Sequence, residues 1–191
     1  VRPAVGFALH TLGTGIRCME IGVNEGHHAR VMLEVLKPSK FVAVDHWSDV
    51  TYPERYTEAA FKTCKDLLSS YNIEYVRDKS QSALPKMEPD SFDFIYIDGE
   101  HNRDACSQDI RNAIRLVRIG GIVGGHDYWP EVIPIDKQYG LDVYGAVRDV
   151  LGYNVQCDPP DWWVVVDDEV KSSNGSDRQA WANNGNHPLC L

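Results

Sequence analysis

An acid and a histidine follow a buried strand in the stretch FDFIYIDGEH, residues 92–101. The apolar run ends on Asp98, turns at Gly99 and leads to His101. An imidazole can take a proton from a hydroxyl group near neutral pH, and a neighbouring carboxylate can orient it or bind a cation. Asp98 and His101 are therefore the candidate catalytic residues, with His101 as general base. His101 could instead cap the helix that begins near Arg103.

A second polar group follows another apolar run. The stretch GGIVGGHDY, residues 120–128, opens as a strand and carries His126 and Asp127 near its end. If this strand neighbours the one that ends on Asp98, two carboxylates and an imidazole face one cavity, which is unfavourable unless a cation, a proton or a basic group joins them. Oxygen ligands suit Mg²⁺, and an imidazole also permits Mn²⁺, Fe²⁺ or Zn²⁺. Asp98, His126 and Asp127 form a candidate metal site, unless Asp127 only caps a turn and His126 is merely exposed.

A turn bracketed by two glycines follows the first strand. The run IRCMEIG, residues 16–22, predicts a strand that carries an acid, Glu20, and leads into the turn between Gly22 and Gly26. Glycine lets the backbone approach a ligand closely, and the helix that follows directs backbone N–H groups toward it. A plain strand–turn–helix joint is the alternative. The GxGxxG pattern of dinucleotide-binding proteins does not occur here.

Polar residues also end the second and third strands. Asp45 ends the second, where an acid suits the two hydroxyls of a ribose, although it could be a helix cap or a solvated strand end. His46 and Trp47 follow it and offer a flat apolar face to an adenine. After the third strand, Asp78 and Ser80 could hydrogen-bond the edge of a purine or serve only as turn and cap residues.

Strands and helices alternate in the elements that must position these residues. Apolar runs predict strands, and longer periodic stretches predict helices at 27–37, 54–71, 103–117 and 141–151. Continuous apolar strands between helices indicate a parallel sheet covered on both faces, which gives an α/β, doubly wound, Rossmann-like fold. YNVQC and WWVVVD lie a short turn apart and predict an antiparallel C-terminal hairpin at one edge. The sheet is then mostly parallel and seven-stranded, with helices on both faces and ligands bound at the carboxyl ends of its strands.

Composition limits the class of protein. The 191 residues, with 43% hydrophobic and 25% charged content, suit one globular domain, which we place at residues 1–170, with a loose tail at 171–191. The net charge of −9 and the lack of a Lys/Arg cluster argue against a nucleic-acid partner. No apolar run approaches the ~18 residues of a membrane span. The chain begins at Val1, so it could be a processed product or part of a longer chain.

Cysteine usage indicates the redox compartment. The five cysteines are scattered, odd in number and without a CxxC pair. Cys18 and Cys64 lie in apolar segments, where a free thiol acts as a small hydrophobe. This predicts a reducing, cytoplasmic location and argues against a disulfide scaffold or a zinc knuckle.

The strand ends together resemble those of class I S-adenosylmethionine-dependent methyltransferases. Within that class the chain is similar to the small-molecule O-methyltransferase group that carries EIG…G, D, DG.H and GG…HDY at successive strand ends, and the resemblance covers residues 16–166. It implies that a loop surrounds the methionine part of the cofactor, formed by Glu20, Gly22, Asn24 and Gly26. It further implies ribose binding by Asp45, with His46 beside it, and places Asp78 and Ser80 near the adenine.

The same resemblance assigns the reacting end of the site. It places Asp98 beside the sulfonium and, in metal-dependent relatives, on the divalent ion together with the acids after the fifth strand. His101 falls where some of these relatives place the general base. The metal-dependent relatives usually carry Asp-Asp or Asp-Asn where this chain has His126 and Asp127.

The implied activity is transfer of a methyl group from S-adenosylmethionine to a hydroxyl of a small acceptor, a sugar or a phenol, with Mg²⁺ or another divalent metal as a second candidate cofactor. One alternative is a non-catalytic module of the same fold that serves a structural or interaction role in a larger assembly. A metal-dependent hydroxylase-like relative is a further alternative. Self-association into a homo-oligomer is also open.

Overall fold

A seven-stranded sheet forms the centre of the protein. The computed structural model describes residues 1–48, 58–129, 141–152 and 154–174. The strands in chain order are β1 (Arg17–Ile21), β2 (Lys40–Val44), β3 (Glu74–Val76), β4 (Phe92–Ile97), β5 (Val117–Gly125), β6 (Gln156–Asp158) and β7 (Asp161–Val165). Their order across the sheet is β3-β2-β1-β4-β5-β7-β6, parallel from β3 to β5 and antiparallel at β7 and β6. The predicted fold class and the antiparallel C-terminal hairpin at one edge are confirmed.

Seven α-helices flank the sheet in the described part of the chain. They are α1 (Pro3–Leu12), α2 (His27–Leu36), α3 (Glu58–Leu67), α4 (Ser80–Ala83), α5 (Arg103–Leu116), α6 (Val143–Leu151) and α7 (Asp168–Ser173). Four of them match predicted helices, although the first residues predicted for α3 lie outside the described ranges. The sequence did not predict α1, α4 or α7. β5 begins three residues earlier than predicted because an irregularity near Phe92 lets Val117 pair with β4.

Alternating strand residues divide the core between the two faces of the sheet. Cys18, Phe94 and Tyr96 point to the face covered by α1, α2 and α3. Met19 and Ile95, their neighbours along β1 and β4, point to the face covered by α5 and α6. Strands buried on both faces explain why the sequence shows continuous apolar runs rather than alternation.

The cysteines differ from one another in state. Cys18, Cys64 and Cys106 are buried free thiols, as small core residues would be. Burial raises the pKa of Cys64 to about 12, so this thiol is unreactive at neutral pH. Cys157, by contrast, is disulfide-bonded.

The C-terminal helix lies across the domain boundary that the sequence suggested. α7 runs through residue 170, and the side chain of Asn174 donates to the carbonyl of Arg111 in α5 at 2.8 Å. Residues 175–191 of the predicted tail lie outside the described ranges, as do residues 49–57, 130–140 and 153. No described helix combines the length and the hydropathy needed to cross a membrane.

Candidate functional site

Backbone hydrogen bonds carry the sheet one residue past the end of four strands. The backbone N–H groups of four residues each donate to the carbonyl oxygen of the last residue in the neighbouring strand, at 2.8–3.1 Å. The donor and acceptor pairs are Gly22 and Val44, Asp45 and Val76, Asp98 and Ile21, and His126 and Ile97. These bonds place the residues that follow β1, β2, β4 and β5 side by side at the carboxyl edge of the sheet. The predicted site residues at these four strand ends are therefore brought together.

Gly22 lies against the end of β4. A Cβ atom added to Gly22 would be 2.1 Å from the carbonyl oxygen of Asp98 and 2.5 Å from the Cα atom of Gly99. Gly22 also has φ +83°, a conformation that side chains disfavour. The protein's own backbone thus requires glycine here, before any ligand is considered. A Cβ atom on Gly26 would approach Cys64 Sγ to 2.9 Å, so Gly26 allows α2 to start close to α3.

The carboxylate of Asp45 holds the loop between β1 and α2. Its Oδ2 atom accepts from the N–H groups of Val23 at 3.0 Å and Asn24 at 2.9 Å, and its Oδ1 atom accepts from Trp47 N–H at 2.7 Å. The side chain is only 6% exposed, so Asp45 is neither a solvated strand end nor a helix cap. It fixes the turn that the sequence assigned to cofactor binding.

Trp47 belongs to the core and does not offer a face to a ligand. It is 1% exposed, packs on Phe61 with ring centroids 4.6 Å apart, and donates from Nε1 to the carbonyl of Asn24 at 2.7 Å. The expectation that its ring forms an open surface for adenine is therefore wrong. His46 is half-buried, and its Nδ1 atom accepts from Ser48 N–H at 3.0 Å.

A buried acid and a histidine lie beneath the glycine loop. Glu20 is 1% exposed, and its Oε1 atom lies 2.7 Å from Nδ1 of His28, the second residue of α2. Burial raises the pKa of Glu20 above its ordinary range, although the hydrogen bond to His28 opposes the shift. Glu20 Oε2, His28 Nε2 and the Asn24 side-chain oxygen are buried without a hydrogen-bond partner among the described residues. Such unpaired polar atoms suit a polar ligand at this loop.

His28 was not predicted as a site residue from the sequence. Glu20 lies opposite Tyr96 in the β1–β4 register, so both side chains point to the face that carries α2. The ring of His28 stacks on Tyr96 with centroids 4.4 Å apart. A histidine in the first turn of the helix that follows an in-strand glutamate was the available signal.

Asp98, His101 and Asp127 form one cluster at the ends of β4 and β5. Their candidate ligand atoms all lie within 4.8 Å of one another. His101 Nε2 is 3.1 Å from Asp127 Oδ2 and 3.6 Å from Asp98 Oδ1. Nε2 is buried and makes no hydrogen bond of good geometry with a described residue. The structure thus brings His101 into the group for which the sequence named His126.

His126 lies at the border of this cluster. Its Nδ1 atom is 3.0 Å from Asp127 Oδ1 and 3.9 Å from Asp98 Oδ1, and its side chain is 21% exposed. It is therefore partly buried among the acids rather than merely exposed.

The charges in this cluster stabilise one another. Burial alone would raise the pKa of Asp98, but His101, Arg2 and His126 outweigh it and lower that pKa. The pKa of Asp127 is lowered in the same way by the two histidines. Burial would lower the pKa of His101, but the two carboxylates raise it above its ordinary value of 6.5.

His101 does not cap α5. The cap is Asn102, whose side-chain oxygen accepts from Ala105 N–H at 3.0 Å. The carbonyl of His101 accepts from Asp142 N–H at 2.9 Å, which ties this turn to the start of α6. The side chain of His101 is therefore free of a structural capping role.

An arginine from the N-terminal segment reaches the same edge. Arg2 Nη1 donates to the hydroxyl of Tyr96 at 2.7 Å and to Asp98 Oδ2 at 3.0 Å. The Tyr96 hydroxyl donates in turn to Asp161 Oδ1 at 2.9 Å, and Ala4 N–H donates to Asp161 Oδ2 at 3.1 Å. Because α1 was not predicted, Arg2 was not expected at the site.

The residues assigned to the adenine lie after β3. Asp78 is half-buried, and its Oδ1 atom accepts from Lys79 N–H at 2.8 Å. Ser80 begins α4, and the next residue, Gln81, donates from Nε2 to Oδ1 of Asp109 in α5 at 3.2 Å. Asp109 is fully buried, and burial raises its pKa to about 7. The bond from Gln81 thus helps to hold α4 against α5.

Solved structures show the same fold. A Klebsiella pneumoniae protein assigned as an O-methyltransferase aligns with a TM-score of 0.60 at 15% identity, covering 85% of this chain and 78% of its own. A Streptococcus mutans protein assigned as a methyltransferase and solved with S-adenosylhomocysteine aligns with a TM-score of 0.59 at 16% identity, covering 85% of this chain and 96% of its own. The N-methyltransferase NodS of Bradyrhizobium japonicum aligns at 0.58 and 11%, covering 84% and 89%.

Three other matched methyltransferases are longer, and this chain covers 23%, 50% and 52% of their lengths. Among curated proteins, none matches the sequence significantly. A family model described as a methyltransferase domain matches residues 19–128, which span β1 to the end of β5 and more than half of the chain. These residues carry the glycine loop, Asp45, Asp98, His101 and Asp127, and the chain belongs to this methyltransferase-domain family.

Proposed function

We propose that the protein transfers a methyl group from S-adenosylmethionine to a hydroxyl group of a small molecule, with His101 as general base. The observation that carries this proposal is the imidazole of His101, held beside Asp98 and Asp127 at the edge where the glycine loop meets β4. S-adenosylmethionine would supply a methyl group on a sulfonium, which the acceptor oxygen displaces in line to leave S-adenosylhomocysteine.

The glycine loop suits the donor. Its backbone is fixed by Asp45, which has 6% exposure, and beneath it lie the unpaired atoms Glu20 Oε2 and His28 Nε2. Asp45 would bind the ribose through the lone pairs that its three backbone hydrogen bonds leave free. Glu20, Gly22, Asn24 and Gly26 would surround the methionine part, with His46, Asp78 and Ser80 on the adenine side.

The two nitrogens of His101 would have different tasks. Nε2 faces the carboxylates of Asp127 and Asp98, which favour a proton on this atom. Nδ1 is then the atom with a free lone pair, on a side chain that is 32% exposed. Nδ1 would accept the hydroxyl proton as the acceptor oxygen attacks, and the carboxylates would stabilise the resulting imidazolium.

A divalent metal would fit the same cluster. Two carboxylates and the unpaired Nε2 atom, all within 4.8 Å, are a donor set for Mn²⁺, Fe²⁺ or Zn²⁺, with His126 at its border. Bound there, the ion would lower the pKa of the acceptor hydroxyl. Charge compensation by Arg2 and a protonated His101 is the metal-free alternative.

The acceptor is proposed to be a small molecule, a sugar or a phenol, rather than RNA. A net charge of −9 disfavours a phosphate backbone as partner. The similar structures include N- and O-methyltransferases, so the fold does not select the acceptor atom. Oxygen is proposed because a hydroxyl acceptor must lose a proton, and His101 would be the base that removes it.

The test combines binding with turnover. Calorimetry measures the affinity for S-adenosylhomocysteine, and release of S-adenosylhomocysteine from S-adenosylmethionine is followed with a panel of sugars and phenols. The expected result is binding together with turnover on at least one acceptor. Absence of binding would overturn the proposal, and binding without turnover would favour the non-catalytic module.

Two variants and a chelator assign the roles. His101→Gln should abolish turnover and keep binding, whereas the matched control His10→Gln, an exposed histidine on α1, should leave both unchanged. Full activity in excess chelator would remove the metal from the proposal. Activity that is lost in chelator and restored by Mn²⁺ or Mg²⁺ would establish it.

A further inference from the structure

The guanidinium of Arg2 is anchored by one of its three nitrogens. Nη1 makes the hydrogen bonds to Tyr96 and Asp98, and within the described residues Arg2 donates no other side-chain hydrogen bond. Arginine carries five N–H donors in a planar fork. Three of them, on Nε and Nη2, therefore remain for a ligand, and the side chain is 31% exposed.

The edge formed by Nε and Nη2, which is free in Arg2, binds carboxylates in other arginines of this protein. Arg17 donates from Nε and Nη2 to the two oxygens of Asp93, both at 3.0 Å. Arg103 donates from the same two nitrogens to Asp149, both at 2.7 Å. Such paired bonds combine charge with fixed geometry. Arg2 presents the same edge beside the glycine loop, and no carboxylate of the described residues pairs with it.

Buried contacts hold this edge in place before any ligand arrives. Tyr96 and Asp161 are fully buried, and Asp161 also accepts from Ala4 N–H, two residues after Arg2. The guanidinium lies 5.5 Å from the centre of the Tyr96 ring. A side chain fixed in this way loses little further freedom on binding.

The acids around Arg2 complete a site for a zwitterion. Asp98 pairs with Arg2 at 3.0 Å, and Glu20 lies opposite Tyr96, whose hydroxyl accepts from the same Nη1 atom of Arg2. Glu20 Oε2 is buried and unpaired. A ligand with a carboxylate beside an ammonium group would place the first on Arg2 and the second near Asp98 and Glu20.

We infer that Arg2 is a specificity-determining residue that binds the carboxylate at the amino-acid end of the methyl donor. The inference rests on the proposed function. It assigns the N-terminal segment a part in ligand recognition, because Arg2 brings a guanidinium to the Asp98 carboxylate at the tip of β4.

The test compares two ligands that differ only at the amino-acid end. S-adenosylhomocysteine has the carboxylate and the ammonium, and 5′-methylthioadenosine lacks both. Calorimetry measures both affinities for the wild type, Arg2→Gln, Arg2→Lys and the control Arg30→Gln, an exposed arginine that pairs with Glu34 on α2. Thermal melting checks that each variant folds.

Arg2→Gln should weaken S-adenosylhomocysteine binding about 10- to 100-fold, the range for a lost hydrogen bond between charged groups. It should leave 5′-methylthioadenosine unchanged, and Arg30→Gln should alter neither. Arg2→Lys keeps the charge but lacks the Nε/Nη2 edge, so it should also lose affinity; it decides the matter if Arg2→Gln does not fold.

Three results would overturn parts of this reasoning, and they are distinguishable. Equal loss for both ligands would assign Arg2 a structural role only. No loss for S-adenosylhomocysteine, with a raised KM for a carboxylate-bearing acceptor, would assign the edge to the acceptor and refute the inference. A wild type that binds neither ligand would refute the proposed function itself.

Discussion

Replacing Asp45 should loosen the glycine loop as well as weaken ligand binding. Asp45→Ala leaves three N–H groups without their acceptor, those of Val23, Asn24 and Trp47. An unsatisfied buried donor costs about 1–3 kcal/mol. Because the loop can relax and water can enter, we expect a total loss of about 2–4 kcal/mol in the free energy of unfolding. Asp45→Asn keeps one acceptor oxygen and should lose about 1–2 kcal/mol.

Urea unfolding measures the loss of stability, with Asp66→Asn as control because Asp66 is an exposed acid on α3. Calorimetry with S-adenosylhomocysteine and its 2′,3′-dideoxy analogue then separates the two roles of Asp45. If Asp45 binds the ribose, the wild type prefers the hydroxylated ligand and Asp45→Asn reduces that preference. If Asp45→Ala unfolds at the same urea concentration as the wild type, the Asp45 carboxylate does not stabilise the glycine loop, and this prediction is refuted. An unchanged preference in Asp45→Asn would refute the ribose assignment.

Three further predictions follow from the same edge of the sheet. Gly22→Val should prevent native folding rather than only block a ligand, because a Cβ atom would lie 2.1 Å from Asp98 O; a natively folded variant by circular dichroism would contradict this. Turnover should rise with pH through the pKa of His101, which lies above 6.5, because the protonated ring cannot accept a proton; the pH–rate profile of His101→Gln should lack this rise, and its persistence would identify another base. Burial raises the pKa of Asp109 from 3.8 to about 7, so the folded state binds this proton more tightly and loses up to about 4 kcal/mol of stability as pH rises between these values. Urea unfolding across that pH range should show a smaller loss in the free energy of unfolding for Asp109→Asn than for the wild type. If the free energies of the two proteins change in parallel with pH, the prediction is refuted.

The strand ends were predictable because burial on both faces leaves a clear mark. β1, β2 and β4 consist mostly of buried apolar residues, so Asp45 and Asp98, the acids that directly follow β2 and β4, could be placed at one edge of the sheet. Their order along the chain was enough to bring them together.

The errors concern contacts between distant segments. α1 was missed because its position depends on Asp161 and Tyr96, 157 and 94 residues from their partners Ala4 and Arg2. Trp47 was misassigned because its burial against Phe61 depends on a helix that packs from elsewhere in the chain. Contacts of this kind leave no local periodicity to detect.

The close approach of Gly22 to Asp98 and Gly99 also has a consequence for the order of folding. The contact joins Gly22 to a segment 76 residues later in the chain, at Asp98. The backbone of Asp98 and Gly99 therefore does not lie against the glycine loop until β4 has paired with β1. Contacts of high sequence separation form slowly because a long chain must first close. During synthesis, β1, α2 and β2 emerge well before β4. A ligand that needs both sides of this contact cannot guide the early steps, and its binding stabilises only chains in which the centre of the sheet is already complete.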